Sequence, residues 1–189
     1  LDYSGHRLGG LLRDATRTDG LDGLALVCSG GCAVVENHRL LSPANAMSIT
    51  CWVKTDLGGQ DNKWFVNRVL AGSTSAGYRL GVLDGKPCFE VPLTEFSHHL
   101  QAATPLPTGR WVHVAGTFDG QTMRIYVDGE PCGTLERPGP VKPSEARLCL
   151  GSYDPGHGAH FTGVLDEVRL YSRALSPAEV RAQYHALRR

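Results

Sequence analysis

The chain has 189 residues, of which 41% are hydrophobic, and Lys+Arg and Asp+Glu balance at 19 each. That length and apolar content suit a single domain over 1–189 that buries about 70% of its unfolded surface. The charge balance offers no whole-chain basic field for nucleic acid or an anionic membrane, and no apolar run approaches the roughly 20 residues of a transmembrane helix. With Leu1 first and no signal-peptide pattern, the chain is expected to be a processed product or a domain of a longer protein.

Ten short runs rich in Val, Ile, Leu and aromatic residues read as strands: LALVC, AVVE, MSITCWVK, WFVNRVL, YRLGVL, CFEVPL, RWVHVAGTF, MRIYVD, ARLCLG and VLDEVRLY. Asp-Gly pairs at 19–20, 22–23, 84–85, 119–120 and 128–129 punctuate the chain. Asp-Gly tolerates the positive φ angles of tight hairpin turns, so the pattern predicts hairpins. Many short strands without intervening helices predict an all-β fold of two packed antiparallel sheets. The loops DLGGQDNK, ERPGPVKPSEA and SYDPGHGAH are polar and rich in Gly or Pro. One helix is predicted, at the C-terminal end. Ser176 can cap it, Pro177 suits its first position and Glu179 completes a capping box. Val180, Tyr184 and Leu187 then form one apolar stripe.

Within RWVHVAGTF, alternation puts Val112, Val114 and Phe118 on a core face and Trp111 and His113 on the other. His113 therefore reads as a hydrogen-bonded scaffold residue. In VLDEVRLY the neighbouring acids Asp166 and Glu167 are expected to point in opposite directions, with Asp166 on the side of Val164 and Val168. Two carboxylates turned apart cannot share one bond, and a retaining glycosidase needs its pair about 5 Å apart. The positions two residues away from each acid are Val164, Val168, Leu165 and Arg169, so no row of acids lines one face of this strand. Asp166 reads as a partly buried carboxylate held by backbone donors or by calcium, and Glu167 as a solvated or salt-bridged position.

The six cysteines lack the paired spacing of a zinc site. They are either disulfides of an oxidising compartment or free core thiols. Cys28 and Cys32 flank SGG and are the expected pair, facing each other across a hairpin. His157 and His160 in PGHGAH, and the adjacent histidines of SHHL, lack a helix that would aim two rings at one metal.

GRWVHVAGTFDGQTMRIYVDGEPCG and FTGVLDEVRLYSRALSPAEVRAQY resemble the two strongest motifs of the laminin-G-like jelly rolls. These belong to the concanavalin A-like lectin/glucanase superfamily, and the similarity extends to pentraxins. MSITCWVKT, with Trp52, resembles the early strand of the family and GLALVCSGGCAVV the hairpin before it, so the likeness covers about 20 to 180. It implies a two-sheet antiparallel jelly-roll sandwich with a short C-terminal helix, of a kind that mostly binds glycans or proteins without catalysis. It also implies a calcium ion held between an N-terminal DxSG segment, here Asp2, Ser4 and Gly5, and the late-strand Asp166. His6 and Leu8 stand where relatives often carry Asn. The pentraxin disulfide would need Cys at 51 and 115, where this chain has Cys51 and Ala115, so no pentraxin ring is expected.

The expected function is a non-catalytic, lectin-like or adhesive recognition module, secreted or at the cell surface, with a glycan or an extracellular protein as partner. A polysaccharide hydrolase or lyase of the same superfamily and a ligand-free spacer are the alternatives. Sugars stack their C–H faces on aromatic rings and bond their hydroxyls to planar polar groups. Asp61, Asn62 and Trp64 at one loop–strand junction, and Tyr153, Asp154 and His157 in a late loop, offer that mixture.

Overall fold

Alternation of core and solvent residues carries the chain into strands, in a computed structural model that describes residues 4–6, 8–58, 60–70, 76–92, 99–154, 156 and 160–188. In chain order these are β1 (Leu11–Arg13), β2 (Thr16–Asp19), β3 (Leu24–Val27), β4 (Cys32–Val35), β5 (Met47–Lys54), β6 (Lys63–Asn67) and β7 (Arg79–Leu83). Then follow β8 (Lys86–Glu90), β9 (His99–Gln101), β10 (Trp111–Phe118), β11 (Thr122–Val127), β12 (Glu130–Glu136), β13 (Leu148–Leu150) and β14 (Val164–Tyr171). A 3-10 turn at Arg39–Leu41 and the helix α1 (Pro177–Leu187) complete the elements. No helix among the described residues is long and apolar enough to cross a membrane.

The strands form two seven-stranded antiparallel sheets, the jelly-roll sandwich expected. The first runs β1-β4-β13-β6-β7-β8-β9 and the second β12-β11-β10-β5-β14-β3-β2. Four strands escaped the sequence reading, namely β1, β2, β9 and β12. All four are sheet edges.

The core lies between the sheets. In the β5–β10 pair, Val53 faces Val112, Cys51 faces Val114 and Met47 faces Phe118, all pointing at the other sheet. Phe65, Leu80, Val82 and Phe89 meet them from the first sheet. Gly116, opposite Ile49, leaves room for the Phe89 ring, into which a Cβ would collide. The Asp84-Gly85 and Asp128-Gly129 turns have positive φ at both residues, as two-residue hairpins of primed type require.

The SGG segment is a different connection from the one expected. β3 and β4 lie in different sheets, so the segment crosses the sandwich edge rather than closing a hairpin. Cys28 joins the inter-sheet core, while Cys32 packs with Val34 and Cys149 in a separate cluster on the outer face of the first sheet. All six cysteines are free thiols in this structure, Cys28 and Cys32 included.

The two acids also depart from simple alternation. A β-bulge interrupts the β14–β5 register, pairing Asp166 with Trp52 and Arg169 with Thr50, and Glu167 adopts φ 49°. Leu165, Val168 and Leu170 contact the core, whereas Asp166 and Glu167 both fall on the outer face of the second sheet. The expected opposition of Asp166 and Glu167, and the placement of Asp166 beside a core-facing Val164, are corrected by that extra residue.

Helix α1 covers this outer face. The Ser176 side chain accepts from the Glu179 N–H, and the Glu179 side chain accepts from the Ser176 N–H, as the capping box predicts. Val180 is buried against Ala115, Tyr126 and Leu175. The Tyr184 ring stacks on Trp52 at 5.7 Å, beside His113.

Candidate functional site

Asp166 is anchored by backbone. Its Oδ2 accepts from the Leu21 N–H at 2.6 Å, with the Asp22 N–H at 3.5 Å, and its Oδ1 accepts from the Glu167 N–H at 2.8 Å. Gly20 sits so close that a Cβ there would strike the carboxylate. Glu167 pairs with Arg169. Although both acids share a face, Asp166 is sealed under the 19–23 turn and Glu167 is neutralised by its neighbour.

Calcium takes six to eight oxygen ligands. The groups around the Asp166 carboxylate are N–H donors, whose positive ends repel a cation. Ser4 Oγ accepts from the His6 N–H, Gly5 is exposed and Asp2 lies outside the described residues. Among the described residues no three His, Cys, Asp or Glu side chains group as a metal site. The donor set at Asp166 does not fit calcium.

Of the six candidate ligand residues, Trp64 and Tyr153 come together on the outer face of the first sheet. Between them lies Arg79, its guanidinium 4.0 Å from the Trp64 ring centre and 5.8 Å from that of Tyr153. Arg79 also grips its cross-strand partner Glu90 with two bonds of 2.8 and 3.0 Å. Trp64 and Glu90 are each 1% exposed, so the Trp64 ring is closed to a sugar, whereas Tyr153 is half-buried. Asn67 Nδ2 donates to the Tyr153 carbonyl at 2.6 Å and pins the late loop onto the sheet. Asp61 accepts from the Asp84 N–H at 2.6 Å, supporting the β7–β8 turn. Asn62 supplies a positive-φ corner, and Asp154 accepts from the Gly156 N–H. His157 lies outside the described residues.

An open groove of about 510 Å³ lies elsewhere, on the outer face of the second sheet. Its floor is one cross-strand row, in which Trp111 faces Lys54, Lys54 faces Val164 and Val164 faces Val27. Thr18, Ser29 and Thr162 contribute hydroxyls, and Asp19 and Asp56 stand exposed on the rim; the buried Thr55 hydroxyl is spent on the Thr162 carbonyl. Trp111 is partly exposed because β10 alternates strictly and its neighbour Val112 takes the core position. The sequence reading placed Trp111 off the core but did not select it as a ligand residue. An aromatic ring at a strand start, facing away from the core, was the available signal.

His113 shares this face but lies beneath α1, with 1% exposure. Burial pushes its pKa down to about 4, against a smaller upward pull from Asp128. Its Nδ1 has no hydrogen-bond partner among the described residues.

A family model described as the concanavalin A-like lectin/glucanases superfamily matches residues 29–181. The chain belongs to this superfamily. Among solved structures, the superfamily fold is shared with domain 4 of AbnA, a GH43 extracellular arabinanase from Geobacillus stearothermophilus, in complex with arabinotriose. That match has a TM-score of 0.76 and 22% identity, over 95% of this chain and 90% of that one. The binding domain of Paraclostridial Mosquitocidal Protein 1 matches with a TM-score of 0.78 and 14% identity, over 98% of this chain and 49% of that one. A chain from a structure titled for the dependence of botulinum neurotoxin type C cell entry on two ganglioside molecules matches at 0.72 and 13% identity, over 97% and 48%. This chain therefore spans about half the length of those two toxin chains. No curated protein matches it by sequence.

Proposed function

We propose that this domain is a non-catalytic carbohydrate-recognition module whose ligand lies in the groove across Trp111. The observation that carries the reading is the groove floor, an outward-facing indole set among hydroxyl and carboxylate side chains in an open cleft of about 510 Å³. Sugar rings use their apolar face for stacking and their hydroxyls for directional bonds, and this groove offers both. The similar structures support a glycan partner, since their titles name arabinotriose and gangliosides. The extracellular arabinanase among the similar structures supports an extracellular setting. The non-catalytic part rests on the bulged acids, because Asp166 is spent on backbone donors and Glu167 on Arg169. Calcium is left out of the reading on the same ground.

A glycan array followed by product analysis tests it. Retention of one glycan class that is recovered uncut is the expected result. Released oligosaccharide, or no binding across neutral and acidic glycans, would overturn the proposal.

A further inference from the structure

The groove floor carries a cation that forms no ion pair among the described residues. Lys54 ends β5 on the outer face, directly opposite Trp111 on one side and Val164 on the other. Both cross-strand neighbours are uncharged. Its side chain is partly buried, and the ion pairs found among the described residues leave it out. Of the other cations on this sheet, Arg169 is engaged by Glu167 and Arg110 by Asp128, while Arg17 on β2 is exposed to solvent. Asp19 and Asp56 line the same groove but are exposed, where water and salt screen their charge. An ammonium held in a groove against protein gains more from an incoming anion than one in open water.

We propose that the groove selects a sugar bearing a carboxylate, with the ring on Trp111 and the carboxylate on Lys54. The inference rests on the carbohydrate-recognition reading above and names its ligand class. Directly opposed residues of an antiparallel pair have Cβ atoms about 5 Å apart, roughly the width of a pyranose ring. A sugar lying on the indole therefore brings a carboxylate borne on its ring within reach of the ammonium. The contact is a charge-assisted hydrogen bond, about twice as strong as a neutral one. Two sources share this chemistry, the hexuronates of acidic polysaccharides and the terminal sialic acids of animal glycans.

Calorimetric titration with matched pairs separates them. Oligogalacturonate is compared with its carboxyl-reduced counterpart of equal length, and sialyllactose with lactose. The acidic member of one pair is expected to bind about tenfold more tightly or better, with the ratio shrinking as salt is raised. Lys54→Met, checked for folding by circular dichroism, should collapse that ratio toward one, and Asp56→Asn should raise it. Equal or weaker binding of both acidic members, or a ratio that survives in Lys54→Met, overturns the inference while leaving sugar recognition standing. If no oligosaccharide of either kind binds the wild-type domain, the recognition reading fails and this one with it.

Discussion

The Asp166 carboxylate accepts a 2.6 Å hydrogen bond from the backbone of Leu21, a residue 145 positions earlier in the chain. This bond and the longer one from the Asp22 N–H staple the 19–23 turn over β14. They give Asp166 the backbone-holding role, one of the two the sequence left open for it. Asp166→Ala leaves buried N–H donors without acceptors, at a cost of about 1–3 kcal/mol. For a domain of this size that lowers Tm by roughly 2–4 °C per kcal/mol. Asp166→Asn, which keeps one carbonyl acceptor, should lose less. Thermal unfolding with added calcium and with chelator is expected to give the same losses. A loss seen only in calcium would assign the carboxylate to a cation instead.

Gly116 is a packing residue. A methyl group there would enter the Phe89 ring, so Gly116→Ala should destabilise the sandwich by about 1–3 kcal/mol or more. Adding Phe89→Leu should recover part of that loss, because the smaller side chain vacates the space. Urea midpoints of the two single variants and the double variant check the coupling; strict additivity would contradict it.

His113 makes stability depend on pH in a defined window. Its pKa is about 4 in the folded chain, lowered chiefly by burial, against an ordinary value of 6.5. Between those values the unfolded chain takes up a proton that the folded chain refuses. The contribution is therefore complete above pH 6.5 and is lost as pH falls through about 4. It amounts to about 3 kcal/mol. Urea midpoints of wild type and His113→Gln, compared across pH 7 to 4, should converge as the pH falls. Parallel curves would show that His113 protonates as readily folded as unfolded.

The thiols give a chemical count. Cys28, Cys32, Cys51, Cys88 and Cys149 are buried, and only Cys132 is partly exposed. Burial also pushes Cys28, Cys88 and Cys149 up to about 12, which starves them of the reactive thiolate. A thiol-specific chromogenic reagent should modify one thiol quickly in the native protein and six in denaturant. A denatured count of four would restore one disulfide.

What the sequence disclosed follows from which residues touch the core. Strands such as β5 and β10 bury one full face, so their alternation is plain and their placement was correct. The four edge strands present mostly exposed residues, as in TRTD of β2, and have no alternation to read. The bulge had a faint trace, because Leu165, Val168 and Leu170 are spaced three and then two apart rather than evenly. That irregularity brought Asp166 and Glu167 to one face. The Trp64 stack was invisible for another reason, since Arg79 and Glu90 meet only through the β7–β8 register. The groove was hidden likewise. Trp111 and Lys54 are 57 positions apart in sequence, and only the β5–β10 pairing sets them side by side.

The central claim is that Trp111 is the platform on which a glycan binds, and the direct measurement is a titration of the array-selected glycan into wild type and Trp111→Ala. Loss of a central aromatic contact costs about 2 kcal/mol or more, so affinity should fall about thirtyfold while the far-ultraviolet spectrum and Tm stay close to wild type. Unchanged affinity in a folded Trp111→Ala domain would contradict the account and move the binding site off this groove.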